Sequence, residues 1–224
     1  MPTLISRREL LKRASLAGAA AVVPVGGHLR SESSLPSMAP QAVPSREPYE
    51  HLTAMESDVL EAMVARIVPT DANGPGAKEA RAARYIDRAL GGALASSRPL
   101  YGTGLAAVDA RAQSTRGKAF TALSPDEQDV VLSEVETGNV PGFADAAAFF
   151  ALVRAHTVQG TFCDPYYGGN AGFVGWDLIG YPGVRTFVSS DDQRLGADLP
   201  GNHKSAYDYE MFTKAGTGTT PVER

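Results

Sequence analysis

Three side chains of the right types for chemistry fall close together: His156, Cys163 and Asp164. A thiol beside an imidazole base, with a carboxylate to orient the base, is the arrangement of a nucleophilic enzyme. The same types also bind metals. Spacing alone brings none of them within hydrogen-bond reach. A lone His late on an apolar stretch more commonly serves as a bonded core residue. Other chemistry is absent from the chain. Gly168-Gly169-Asn170-Ala171-Gly172 lacks the spacing of a dinucleotide loop, and no Walker A, G-x-S-x-G or H-E-x-x-H pattern occurs. Cys163 is the only cysteine, which excludes an internal disulfide, a Cys-built metal cluster and a C-x-x-C-H haem site within this chain.

The residues from Thr161 to Gly183 are a second candidate. They carry the only Trp and a dense set of Gly and Tyr. Glycine at that density opposes helix and suits a chain folded back on itself. The expectation is a rigid loop that docks on another molecule, with Cys163, Tyr166, Tyr167, Asn170, Phe173, Trp176 and Tyr181 as contacts. Two alternatives stand beside it. The aromatics could fill a satellite core of their own domain, or Trp176 and the tyrosines could stack on a sugar ring. Cys163 reads either as an inert buried thiol or as one half of a bridge to a partner.

Helices must position these residues. Thr53 and Glu56 form a capping box, and Leu60, Met63, Val64 and Ile67 follow at helical spacing up to Pro69. A second helix is expected from about Ala77 to Leu90, with Ala83, Ile86 and Leu90 inward and Gly91-Gly92 as its stop. A third spans about Leu100 to Ser114. Ser124-Pro125-Asp126-Glu127 starts a fourth, with Val131, Leu132 and Val135 as its apolar face. The fifth, about Ala144 to Gln159, is the most apolar and reads as the central helix; Ala147, Phe150, Ala151, Arg154 and His156 lie along it. No run alternates β-branched residues, so no sheet is expected. The fold class is therefore all-α: a small irregular bundle of about five helices, a long Gly/aromatic loop and an extended C-terminal coil. Residues 51–183 form the domain. Residues 184–224 read as an irregular tail that orders on a partner.

The N-terminus reads as an address. Ser6-Arg7-Arg8-Glu9-Leu10-Leu11-Lys12, followed by a mild apolar run, resembles a bacterial twin-arginine export signal. The run is too short for a membrane span, which needs about 20 residues. Residues 1–39 are assigned to the signal, with Arg7 and Arg8 as its core, and 40–50 to a linker. Such signals imply export of a folded protein, often one loaded with a cofactor, to the periplasm. The chain shows no cofactor motif, so the cofactor is expected in a co-exported partner. A net charge of -4 argues against nucleic acid.

One resemblance gathers these features. Phe149 to Thr157, Gly160-Thr161-Phe162, Asp164-Pro165, Tyr167-Gly168-Gly169-Asn170, Gly175-Trp176 and Ile179 to Gly183 resemble the small subunit, subunit three, of the gluconate 2-dehydrogenase family. The resemblance extends back to about Thr53. It implies a non-catalytic, exported accessory subunit. Its partner would be a catalytic subunit of the glucose-methanol-choline type bearing FAD, often joined by a c-type cytochrome with haem c. It carries over no catalytic, cofactor-binding or metal residue. A free-standing periplasmic enzyme using His156, Cys163 and Asp164, and a sugar-binding module, remain the alternatives.

Overall fold

Thr53 and Glu56 close their box as the spacing predicts. The Thr53 N–H donates to the Glu56 carboxylate (2.8 Å) and the Glu56 N–H to the Thr53 hydroxyl (3.3 Å). Helix α1 (Ala54–Ile67) starts there. The computed structural model describes residues 48–212, and among them it contains α-helices and short 3-10 turns but no sheet. The remaining main helices are α2 (Ala82–Leu90), α3 (Arg98–Arg116), α4 (Pro125–Glu136) and α5 (Ala146–Phe162). A short α6 (Val174–Leu178) follows within the glycine-rich loop. The fold is an all-α bundle. Helix α4 repeats the device of α1, with Ser124 and Glu127 as its box and Pro125 at the first helical position.

Three helices differ in extent from the sequence expectation: α5 runs Ala146–Phe162 rather than about Ala144 to Gln159, so Thr161 and Phe162 belong to it and not to the loop. Helix α2 begins at Ala82, because Ala77–Arg81 form tight turns instead. The Ala77 N–H is bound to the Val68 carbonyl at the end of α1 (2.9 Å), and a Cβ on Gly76 would run into that same carbonyl. Arg81 then turns through the left-handed region (φ 57°) before the helix starts. Helix α3 is longer than expected. It accommodates Gly104 because any side chain there would collide with the Phe149 ring of α5.

Helix α5 is central: it packs against α1, α2, α3 and α4 and also meets α6. Its buried face is Ala146, Phe149, Val153, His156, Thr157 and Gly160, while Ala147, Ala151 and Arg154 face outward. Around it Leu60, Met63, Ile86, Tyr101, Leu105, Phe120 and Val131 are fully buried in one apolar cluster. Burying a side chain of that size stabilises by about 1.5–3 kcal/mol. Gly160 lets α5 approach α2, since a Cβ there would sit 3.0 Å from the backbone of Ala82.

The chain ahead of α1 is held by a buried carboxylate. Asp87, inaccessible to solvent, accepts from the backbone N–H groups of Glu50 (2.7 Å), His51 (2.9 Å) and Leu52 (2.9 Å).

Candidate functional site

The segment from Cys163 to Gly183 leaves α5 and is organised by Asn170. Its left-handed backbone (φ 43°) suits Asn better than most residues. Its side-chain oxygen accepts from the Gly175 N–H (2.7 Å) and its amide donates to the Cys163 carbonyl (2.9 Å). Its own N–H donates to the Gly160 carbonyl (2.8 Å), and the next N–H, of Ala171, donates to Ala80 (3.1 Å). The loop is thereby sewn to both α5 and the turn before α2. Gly169 and Gly175 permit that closeness, because a Cβ on either would strike the backbone of Gly160 or Thr161.

Asp164 fastens the loop to the tail. Its carboxylate accepts from the Tyr166 N–H (2.9 Å), the Ser205 hydroxyl (2.6 Å) and the Ala206 N–H (3.0 Å). Tyr207 then stacks on Tyr166 with centroids 3.7 Å apart, and its hydroxyl lies 3.2 Å from that of Tyr167. That hydrogen bond, with some burial, pushes the Tyr207 phenol up to about 12. The His203 ring lies on Phe173 and meets the Asp177 carboxylate at 2.7 Å. The described part of the tail thus orders on this chain's own loop.

The expected contact residues divide into two groups. Asn170 is fully buried and Trp176 is 6% exposed, its indole N–H donating to the Phe162 carbonyl (3.0 Å). These two face the interior and hold the loop, so in this conformation Asn170 offers no surface and Trp176 only an edge. The reason is that both polar ends of the Asn170 amide and the indole N–H are consumed by backbone partners. Tyr166 (61%), Tyr167 (52%) and Tyr181 (40%) are exposed, as is Ile179 (59%). Phe173 is half-buried between Trp176 and His203. Tyr181, Ile179, Trp176 and Phe162 together shape a shallow apolar notch of about 240 Å³.

Cys163 is half-buried, its thiol directed at the Gly160 carbonyl (3.7 Å). Burial raises its pKa to about 11, so it is not a ready thiolate. His156 is buried and shares a 2.9 Å hydrogen bond between Nδ1 and the Tyr101 hydroxyl. Burial lowers its pKa and raises that of Tyr101. With Asp164 committed to the tail, each member of the trio is bonded to a different part of the fold. Among the described residues no group of three or more His, Cys, Asp or Glu could hold a metal ion.

Sequence reasoning missed Asp87 and the clasp that Asp164 makes with Ser205. Asp87 had a signal: it lies beside Ile86 and four residues after Ala83, on the stripe that turns inward. Arg7, Arg8 and the proposed signal and most of its linker lie outside the described residues. No helix among the described residues is long and apolar enough to cross a membrane.

The model of one family, described as gluconate 2-dehydrogenase subunit 3, matches residues 54–183. No curated protein and no solved structure matches. The matched span runs from the first residue of α1 to the end of the glycine-rich loop.

Proposed function

We propose, from the premise that the chain belongs to the gluconate 2-dehydrogenase subunit 3 family, that it is the non-catalytic small subunit of a flavin-dependent sugar or sugar-acid dehydrogenase complex. Its partner is an FAD-bearing catalytic subunit of the glucose-methanol-choline type, and a c-type cytochrome joins them in the complete assembly. The small subunit stabilises the flavoprotein and carries it to the periplasm by its twin-arginine signal.

The observation that supports this most is the state of the loop. It is locked from beneath by Asn170 and Trp176, yet it holds Tyr166, Tyr167, Ile179 and Tyr181 outward. Aromatic side chains displayed on a pre-ordered backbone bind with little further loss of freedom. Surface of this kind is typical of interaction sites. The trio of His156, Cys163 and Asp164, each bonded elsewhere, gives no comparable support to an enzyme.

Co-expression with the flavoprotein tests the reading. The two chains should co-purify, and Arg7→Lys with Arg8→Lys should hold both in the cytoplasm. Normal export of the flavoprotein beside that variant would reject the escort role. Failure to co-purify would reject the subunit role.

A further inference from the structure

A second concave surface lies at the root of the loop. Arg84 and Arg88 of α2, with Arg81 in the turn just before it, face Pro165, Gly168 and Gly169 across a pocket of about 310 Å³. Among the described residues no carboxylate lines it. Arg84 is anchored by its bond to the Pro48 carbonyl (2.6 Å) and by the Tyr49 ring beneath its guanidinium. Arg88 has only a long, half-exposed approach to Glu50 at 3.9 Å. The Arg81 side chain has no hydrogen-bond or ion-pair partner among the described residues, and the residue is exposed. On a chain of net charge -4 this is a local concentration of positive charge, in which the Arg81 side chain and the half-exposed Arg88 are the two guanidiniums open to a further partner.

Two backbone features show that the pocket is built. Gly168 turns at φ 91°, and a Cβ there would come within 3.0 Å of the Arg88 side-chain stem. Bare backbone on that wall leaves the guanidinium its space. Arg81 occupies a left-handed turn (φ 57°, ψ 37°) that Gly or Asn would fill at lower cost. The backbone gains nothing from arginine at this position, so the value of the residue lies in its side chain.

We propose that this pocket receives a carboxylate of the partner catalytic subunit, held by the Arg81 and Arg88 guanidiniums with Arg84 behind them. The inference rests on the subunit role argued above. Guanidinium forks match the geometry of a carboxylate and bind it with two parallel hydrogen bonds. The pocket is open, and the Arg88 side chain is 52% exposed. A free small molecule would need a site that encloses most of its surface. A protein partner brings its own lid. The wall residues Pro165 and Gly168 bracket the exposed Tyr166 and Tyr167, so the pocket is continuous with the aromatic face.

The decisive variant is Arg81→Gly, with Arg81→Asn as its companion. Both remove the charge and both suit the left-handed turn. The complex is reconstituted from the full chain and the flavoprotein, and its dissociation constant is measured against salt concentration. Each variant should weaken association roughly tenfold or more and flatten the salt dependence. The thermal midpoint of the isolated chain should hold or rise. Affinity within twofold of the native value in both variants overturns the proposal while leaving the subunit role intact. No complex with the native chain overturns both. Calorimetric titration of the isolated native chain with inorganic phosphate and with succinate separates the sources. Tight binding of either anion, lost in Arg81→Gly, would assign the pocket to a free anion and overturn the partner assignment.

Discussion

Replacing Asn170 by Ala removes the piece that joins three strands of backbone in the loop. The substitution strands the Gly175 N–H and the Cys163 carbonyl, previously bonded at 2.7 and 2.9 Å. A buried polar group left unpaired costs about 1–3 kcal/mol. Ala in the left-handed region adds about 1 kcal/mol over Asn. The expected loss of about 3–7 kcal/mol is a large part of the 5–15 kcal/mol that typically holds a domain together. It falls on the loop rather than on the bundle, because the apolar cluster lies among α1 to α5 and includes no residue of 163–183. The loop should therefore open before the helices melt. Trp176, the only Trp, is the natural reporter, since it is 6% exposed and sits within the loop. In a urea titration of Asn170→Ala, its emission should shift to the red at a lower concentration than the loss of helical circular dichroism. Asn170→Asp keeps an acceptor for Gly175 and tolerates the turn, so it should fall between. Coincident transitions at the native midpoint would refute the assignment of Asn170 as the organiser of the loop.

Four further outcomes follow from the same geometry. Asp87→Ala leaves three backbone donors of residues 50–52 without their acceptor and should cost about 3 kcal/mol or more in urea unfolding. A loss under 1 kcal/mol would show that water replaces it. Gly104→Ala, which inside an ordinary helix stabilises by about 1 kcal/mol, should here destabilise by about 1–3 kcal/mol because the new methyl meets the Phe149 ring; a raised melting temperature would contradict the packing. The His156 pKa is lowered from 6.5 by burial, so the unfolded chain takes up this proton first. Its share of stability is complete above about pH 6.5 and declines as the pH falls below it. His156→Gln should lose that part of the slope between pH 7.5 and 5.5, and an unchanged slope would refute it. With its thiol raised to about 11, Cys163 is roughly one part in a thousand thiolate at pH 8, so iodoacetamide should label it at least about tenfold faster in urea than in the native state.

The parts of the fold that were legible in the sequence are those encoded locally. Both capping boxes are contacts between residues three apart, and each starts its helix where the spacing places it. Ala77–Arg81 was not legible. Its Ala content favours helix, but hydrogen bonds to Val68 and from Ala171, distant in the chain, hold it as turns. The inward face of α5 was equally hidden. Apolar residues occur on every side of Ala146–Val153, so periodicity has nothing to choose between, and Gly104 opposite Phe149 decides. Within the loop, the composition of 163–183 shows that aromatics and glycines are concentrated there. Which rings sink and which stay out depends on backbone acceptors such as Phe162 that no local pattern reveals. The tail carried too little periodicity to show that Ser205 and Tyr207 return to Asp164 and Tyr166.

The hold of Asp87 on residues 50–52 bears on how the polypeptide is matured. The anchor is reached just ahead of α1, and Arg84 adds a last grip on the Pro48 carbonyl. A protease that severs the backbone anywhere upstream of that point leaves every one of these bonds in place. The bonds that order residues 48–52 are thereby independent of any cut made ahead of Pro48.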